Sequence, residues 1–114
     1  MTDLAEKLQL RGRGIRVVNG PDGMALDLPE AKGPNDGVLV FVRDRAELDE
    51  RAEVALAAAR ADRPAWIAYP KAGQLDTDLN RDRLWEALEG KGVRPVRQVA
   101  IDGVWSALRF RPAV

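Results

Sequence analysis

The sequence predicts an α/β domain: a mostly parallel sheet of about five strands, covered on both faces as a three-layer sandwich and closed by a C-terminal antiparallel hairpin. Three observations carry this expectation. Val38-Leu39-Val40-Phe41-Val42 is an unbroken apolar run, the pattern of a parallel strand buried on both faces. A segment with apolar residues at helical spacing follows, and then a second strand, so that strand and helix alternate. Near the end, Asp102-Gly103 separates two strand-like stretches, a strong signal for a two-residue turn of type I′.

Taken in order, Leu4 and Leu8 lie four apart in a polar setting and predict a short helix that stops at Arg11-Gly12-Arg13-Gly14. Ile15 to Val18 is a strand ended by Asn19-Gly20-Pro21-Asp22-Gly23, which is dense in turn formers. Met24 to Leu28 is expected to make one helical turn, and Pro29 to Gly37 an exposed loop. After the apolar run, Asp44 with Glu47 three residues on can cap a helix, in which Leu48, Ala52, Ala55, Leu56 and Ala59 recur until Arg63-Pro64 stops it. The alanines imply close packing on the sheet. Ala65 to Tyr69 is the next strand, ended by Pro70, and Asn80 caps a helix carrying Leu84, Trp85 and Leu88, closed by Gly90 and Gly92. A two-residue turn at Asp102-Gly103 sets Ile101 opposite Val104, Val99 opposite Ser106, Arg97 opposite Leu108 and Arg94 opposite Arg111. One face of the hairpin then carries Val99, Ile101, Val104, Leu108 and Phe110, and the other Arg94, Gln98, Trp105, Arg109 and Arg111.

The 114 residues fit one domain, and 46% apolar with 32% charged residues is far from the composition of a disordered chain. Lysine plus arginine balances aspartate plus glutamate at 18 each, so no global field draws the protein to nucleic acid or to an anionic membrane. The start, Met1-Thr2-Asp3-Leu4-Ala5-Glu6-Lys7, carries both signs of charge where a signal peptide has a basic start and an apolar run, and no apolar segment has membrane-spanning length. The expected location is the cytoplasm. The absence of cysteine agrees with a reducing compartment.

With no histidine and no cysteine, the sequence excludes Ser-His-Asp and Cys-His nucleophilic sites, imidazole acid–base catalysis and the usual zinc and iron ligand sets. Ser106 is the only serine, and proton transfer would fall to carboxylates, Lys71 or the single tyrosine, Tyr69. Lys71 stands directly after a buried strand, at the carboxyl end where open α/β sheets bind ligands, with the Asn80 helix start in reach to help hold an anion. The alternative is a solvated surface lysine. Asp76 and Asp78 can hold a hard divalent ion, but acids just before a helix also suit its positive end, and no metal is expected. Arg109 beside an exposed Trp105 would suit stacking on a nucleotide; alternatively Trp105 packs under a helix and the arginines pair with its acids. The glycines of Arg11-Gly12-Arg13-Gly14 precede a strand, which is the wrong order for a phosphate loop, so this segment is taken as a turn.

Trp66-Ile67-Ala68-Tyr69-Pro70-Lys71, Thr77-Asp78-Leu79, Arg81-Asp82, Ile101-Asp102 and Trp105-Ser106-Ala107-Leu108-Arg109-Phe110 resemble an uncharacterised bacterial family, domain of unknown function 3052. The resemblance covers the C-terminal half and brings no activity with it. The order of elements also looks like the second half of a Rossmann-type methyltransferase, which implies strand order 1-2-3-5-4, the last strand antiparallel between the third and fourth. The acidic, glycine-rich cofactor turn of those enzymes is absent, because Gly20 and Gly23 stand alone. The resemblance therefore implies a reduced relative with no cofactor.

These features favour a non-catalytic binding module, for another protein or for itself. The alternatives are an anion or nucleotide binder and a reduced S-adenosylmethionine-dependent enzyme. The expected ligand site comprises Tyr69, Lys71, Asp78, Arg81, Trp105 and Arg109, with no catalytic residue assigned. Nucleic acid and membrane are not expected partners.

Overall fold

The computed structural model describes residues 4–24, 26–33 and 36–113. Met1 to Asp3 of the charged start, Ala25 of the expected helical turn, and Pro34 and Asn35 of the expected loop lie outside the described residues, as does Val114. In chain order the elements are α1 (Leu4–Lys7), β1 (Ile15–Val18), β2 (Gly37–Phe41), α2 (Arg45–Arg60), β3 (Ala65–Pro70), α3 (Arg81–Leu88), β4 (Val93–Ala100) and β5 (Trp105–Pro112). They form one five-stranded sheet in the order β1-β2-β3-β5-β4, as expected. Pairs β1–β2 and β2–β3 are parallel, while β5 runs against both β3 and β4.

Every residue of β2 and β3 is buried, the consequence of apolar packing on both faces. On one face Val38, Val40, Ile67, Tyr69, Leu108 and Phe110 meet α2 and α3. Ala52, Ala55, Ala58 and Ala59 line the inner stripe of α2, and their small size lets the helix lie close on the sheet. On the other face Leu39, Phe41, Trp66, Ala68, Trp105 and Ala107 are covered by Leu8 and Leu10 after α1 and by Met24, Leu26 and Leu28. Trp66 Nε1 donates to Leu8 O at 3.0 Å, so the largest core side chain also ties the N-terminal segment down.

Both helix caps form as expected. Glu47 N donates to Asp44 Oδ1 at 2.9 Å and Arg83 N donates to Asn80 Oδ1 at 2.8 Å. Glu47 departs from the usual capping box: its carboxylate accepts from Arg43 N at 2.9 Å, one residue before the cap, and from Asn19 Nδ2 at 3.2 Å. The end of β1 is thereby joined to the start of α2.

Two local expectations are corrected. The described residues between Met24 and Leu28 form no helical turn. Met24, Leu26 and Leu28 are half-buried while Asp27 is exposed, a period of two that suits an extended strap laid across the sheet. Its end pairs with β1 through Ile15 N to Pro29 O at 2.8 Å and an Ile15–Glu30 bridge. That contact needs Gly14, where a Cβ would stand 2.0 Å from Glu30 O.

The hairpin turn is the second correction. Neither Asp102 nor Gly103 takes the positive φ that type I′ demands. Instead Asp102 Oδ1 accepts from Val104 N and Trp105 N, both at 2.8 Å, and Ile101 N donates to Trp105 O, which makes a wider loop. The register moves by one: Ala100 faces Ser106, Val99 faces Ala107, Gln98 faces Leu108 and Arg97 faces Arg109. An irregularity between Pro95 and Arg97 absorbs the extra residue, so Arg94 still faces Arg111. A one-residue slip turns side chains to the other face, so Val99 and Ile101 pack with Trp105, and Gln98 joins the face of Leu108. Pro95, the bulge and the exposed Arg94 and Arg97 also keep the β4 edge from pairing with another chain.

Candidate functional site: a cleft at the carboxyl end of β3

Where β3 ends, an open cleft of about 560 Å³ lies between the sheet and the start of α3. Its floor is shallow because the residues paired across the sheet are small: Tyr69 faces Ser106, and Ser106 faces Ala100. Gln98, one row back beside Leu108, adds an amide. Lys71 leaves the strand at the rim, its backbone fixed by Lys71 N to Val104 O at 2.7 Å. Asn80 and Arg81 bring the N-terminus of α3 to the same space.

Tyr69 is the unusual member. It is 2% exposed, and its hydroxyl is buried without a hydrogen-bond partner. Burial raises its pKa, opposed by the charge of Arg81 and reinforced by that of Asp82. A buried hydroxyl left unpaired costs about 1–3 kcal/mol, so its retention points to a role outside the empty fold. Around it are unused donors. Among the described residues the Lys71 ammonium and the Arg81 guanidinium have no hydrogen-bond or ion-pair partner, and the amides of Arg81 and Asp82 have no protein acceptor. Asn80 takes only the next two amides, those of Arg83 and Leu84. No carboxylate lines the cleft. Chemically it offers two cations, a phenol and a helix N-terminus as donors.

Of the predicted site residues, the cleft brings together Tyr69, Lys71 and Arg81. Asp78 is elsewhere: its carboxylate accepts from Arg45 N at 2.9 Å, in the first turn of α2, and its carbonyl from Arg83 Nη1 at 3.0 Å. The helix end it serves is the preceding one. Trp105 is not the exposed platform expected. It is 4% exposed and packs edge-on against Phe41, with ring centroids 5.1 Å apart. Arg109 pairs with Trp66 near the other end of β3, five residues back from Lys71, which is roughly 16 Å along a strand. Gln98 escaped the sequence analysis because the expected register put it on the opposite face. Ser106 was marked only by being the sole serine.

Among the described residues no group of three or more acidic side chains can hold a metal ion, and no helix is long and apolar enough to cross a membrane. No family model, curated protein or solved structure matches this chain.

Proposed function

We propose that this protein is a binding module that takes a small anionic group, phosphate or carboxylate, in the cleft at the end of β3. The observation that carries this is the buried, unpartnered Tyr69 hydroxyl beside the unpaired Lys71 and Arg81. In the bound state Tyr69 Oη, Lys71 Nζ and the α3 amides donate to the anion, while Arg81 balances its charge. With two cations and no carboxylate lining the space, recognition of negative charge is favoured over proton abstraction. The test is a thermal-shift series with inorganic phosphate, nucleotides and dicarboxylates. A ligand at a hundredfold excess over its Kd adds about 2.7 kcal/mol of stability, and Lys71→Ala is expected to remove that gain. Equal stabilisation of the two proteins would remove the cleft as the site.

A second reading is association through a sheet edge. Beyond the bridge at Ile15, the outer edge of β1 has no strand beside it among the described residues, and Val17 is 37% exposed. Sedimentation of Val17→Lys against the parent chain tests it. The strand order is the one expected of descent from a three-layer, Rossmann-like methyltransferase half, while kinship with domain of unknown function 3052 and a cytoplasmic setting rest on the sequence alone. Failure of S-adenosylmethionine to shift the melting temperature is the expected result for such a reduced relative.

A further inference from the structure

We propose that the opposite end of the sheet carries a second anion site, in which Arg11, Arg13, Arg109 and Arg111 take a multiply charged phosphate, a di- or triphosphate group. These four arginines line a polar cleft of about 430 Å³, opposed by a single lining carboxylate, Asp62. The sheet forces them together. The β5 alternation puts Arg109 and Arg111 on one face, and the bulge in β4 sets Arg97 directly across from Arg109 and Arg94 across from Arg111. Like charges in facing positions cost stability unless an anion lies between them.

Asp62 meets only part of that demand. It is held by Arg111 through Nε at 3.0 Å and Nη2 at 3.1 Å. Arg109 gives Nη1 to Gln9 Oε1 at 2.8 Å, but its Nε is buried with no acceptor. Desolvation and the neighbouring charges of Arg111, Arg11 and Arg13 all act to lower the Arg109 pKa, which places those guanidiniums around it. Among the described residues Arg11 and Arg13 have no hydrogen-bond or ion-pair partner for their side chains. They are exposed on a turn shaped by positive φ at Arg11 and Gly12 and closed by Arg13 N to Leu10 O at 3.0 Å. Planar guanidinium forks match phosphate oxygens, and several forks favour several phosphates. The lining has no aromatic ring to stack a base, and the chain has no net charge to attract a nucleic-acid backbone. This site shares no residue with the cleft at the end of β3 and does not depend on it.

Inorganic tripolyphosphate, titrated calorimetrically into the full chain at constant ionic strength, tests the proposal. Saturable binding tighter than that of monophosphate is expected, and the Arg11→Ala, Arg13→Ala double variant should weaken it by about tenfold or more. Both substitutions fall on exposed side chains without partners, so the variant is expected to keep the parent melting temperature. In a Lys71→Ala background, where the cleft at the end of β3 no longer contributes, the binding that depends on Arg11 and Arg13 should persist, and the Arg109 Nε–H resonance should move on titration. Absence of saturation, binding unchanged in the double variant, or no Arg11- and Arg13-dependent binding left in the Lys71→Ala background would each overturn the proposal. A single-stranded oligonucleotide that binds more tightly than tripolyphosphate, and depends on Arg11 and Arg13, would overturn it in favour of a nucleic-acid surface.

Discussion

Replacing Tyr69 by phenylalanine removes one oxygen and keeps the ring, so the ring's packing beside Ile67 and Leu108 in the core under α2 and α3 is preserved. In most buried tyrosines that change costs stability, because a hydrogen bond is lost. Here the hydroxyl is buried with no partner, and the sign should reverse. Its desolvation penalty is about 1–3 kcal/mol, against a small loss of dispersion contacts, which leaves a net gain of about 1 kcal/mol for Tyr69→Phe without ligand. In a chain of 114 residues this raises Tm by about 4 °C. Urea unfolding of the two proteins should show a higher midpoint with an unchanged slope, since no surface exposure changes. With an anion in the cleft the order should invert, because only the parent can use the hydroxyl. A ligand-free Tyr69→Phe less stable than the parent by about 1 kcal/mol or more would refute the reasoning, since the hydroxyl would then be satisfied in the fold.

Tyr69 is the only tyrosine, so alkaline titration of tyrosinate absorbance reports on it alone, and its midpoint is expected above the ordinary value of 10.0. Because the folded pKa is the raised one, its contribution to stability is complete below pH 10 and is lost as pH rises through the folded value; a midpoint at or below 10 would contradict burial as the dominant cause. Asp62 has the opposite sign: the hydrogen bond from Arg111 lowers its pKa from 3.8, so its contribution is present above that value and lost as pH falls through the folded one. Arg111→Gln should move the Asp62 carboxyl resonance midpoint upward by NMR. Gly14→Ala would put a methyl group 2.0 Å from Glu30 O, a backbone atom, and is expected to cost more than about 2 kcal/mol by urea unfolding, with loss of amide protection at Ile15. Asp102→Ala removes the acceptor of two amides and should cost about 1–2 kcal/mol, whereas Asp102→Asn should keep most of it; equal losses would deny the carboxylate its part in the turn.

The cleft at the end of β3 was half legible. Lys71 and Tyr69 announce themselves because a chemically useful residue directly after a fully apolar strand has only one place to be, the carboxyl end of a sheet strand. Arg81 follows from the Asn80 cap. Asp78, Trp105 and Arg109 lie outside the cleft for a shared reason: nearness in sequence says nothing about which helix end, which face or which end of a strand a side chain serves. Asp78 stands two residues before Asn80 yet serves the helix behind it. Arg109 belongs to the same hairpin as Ser106, yet it stands three residues along β5 on the opposite face. The arginine pair at 11 and 13 was set aside as part of a turn, because its neighbours Arg109 and Arg111 are nearly a hundred residues away.

By itself, the sequence determined what depends on local and one-strand physics. The uninterrupted apolar runs read as strands covered on both faces, the Asp44 and Asn80 caps set the helix starts, and the resemblance to a Rossmann-type methyltransferase half implied β1-β2-β3-β5-β4. Absence of histidine and cysteine settled which side-chain chemistries are impossible. The tertiary structure decided whatever depends on register and on competition for backbone groups. Asp102 captured the amides of Val104 and Trp105, the loop widened, and each β4 side chain from Arg97 to Ala100 changed face. That shift carried Gln98 to the cleft beside Ser106 and set Arg97 against Arg109. Because strand side chains alternate with a period of two, one carboxylate's choice of hydrogen bonds decided that Gln98 lines the cleft at the end of β3.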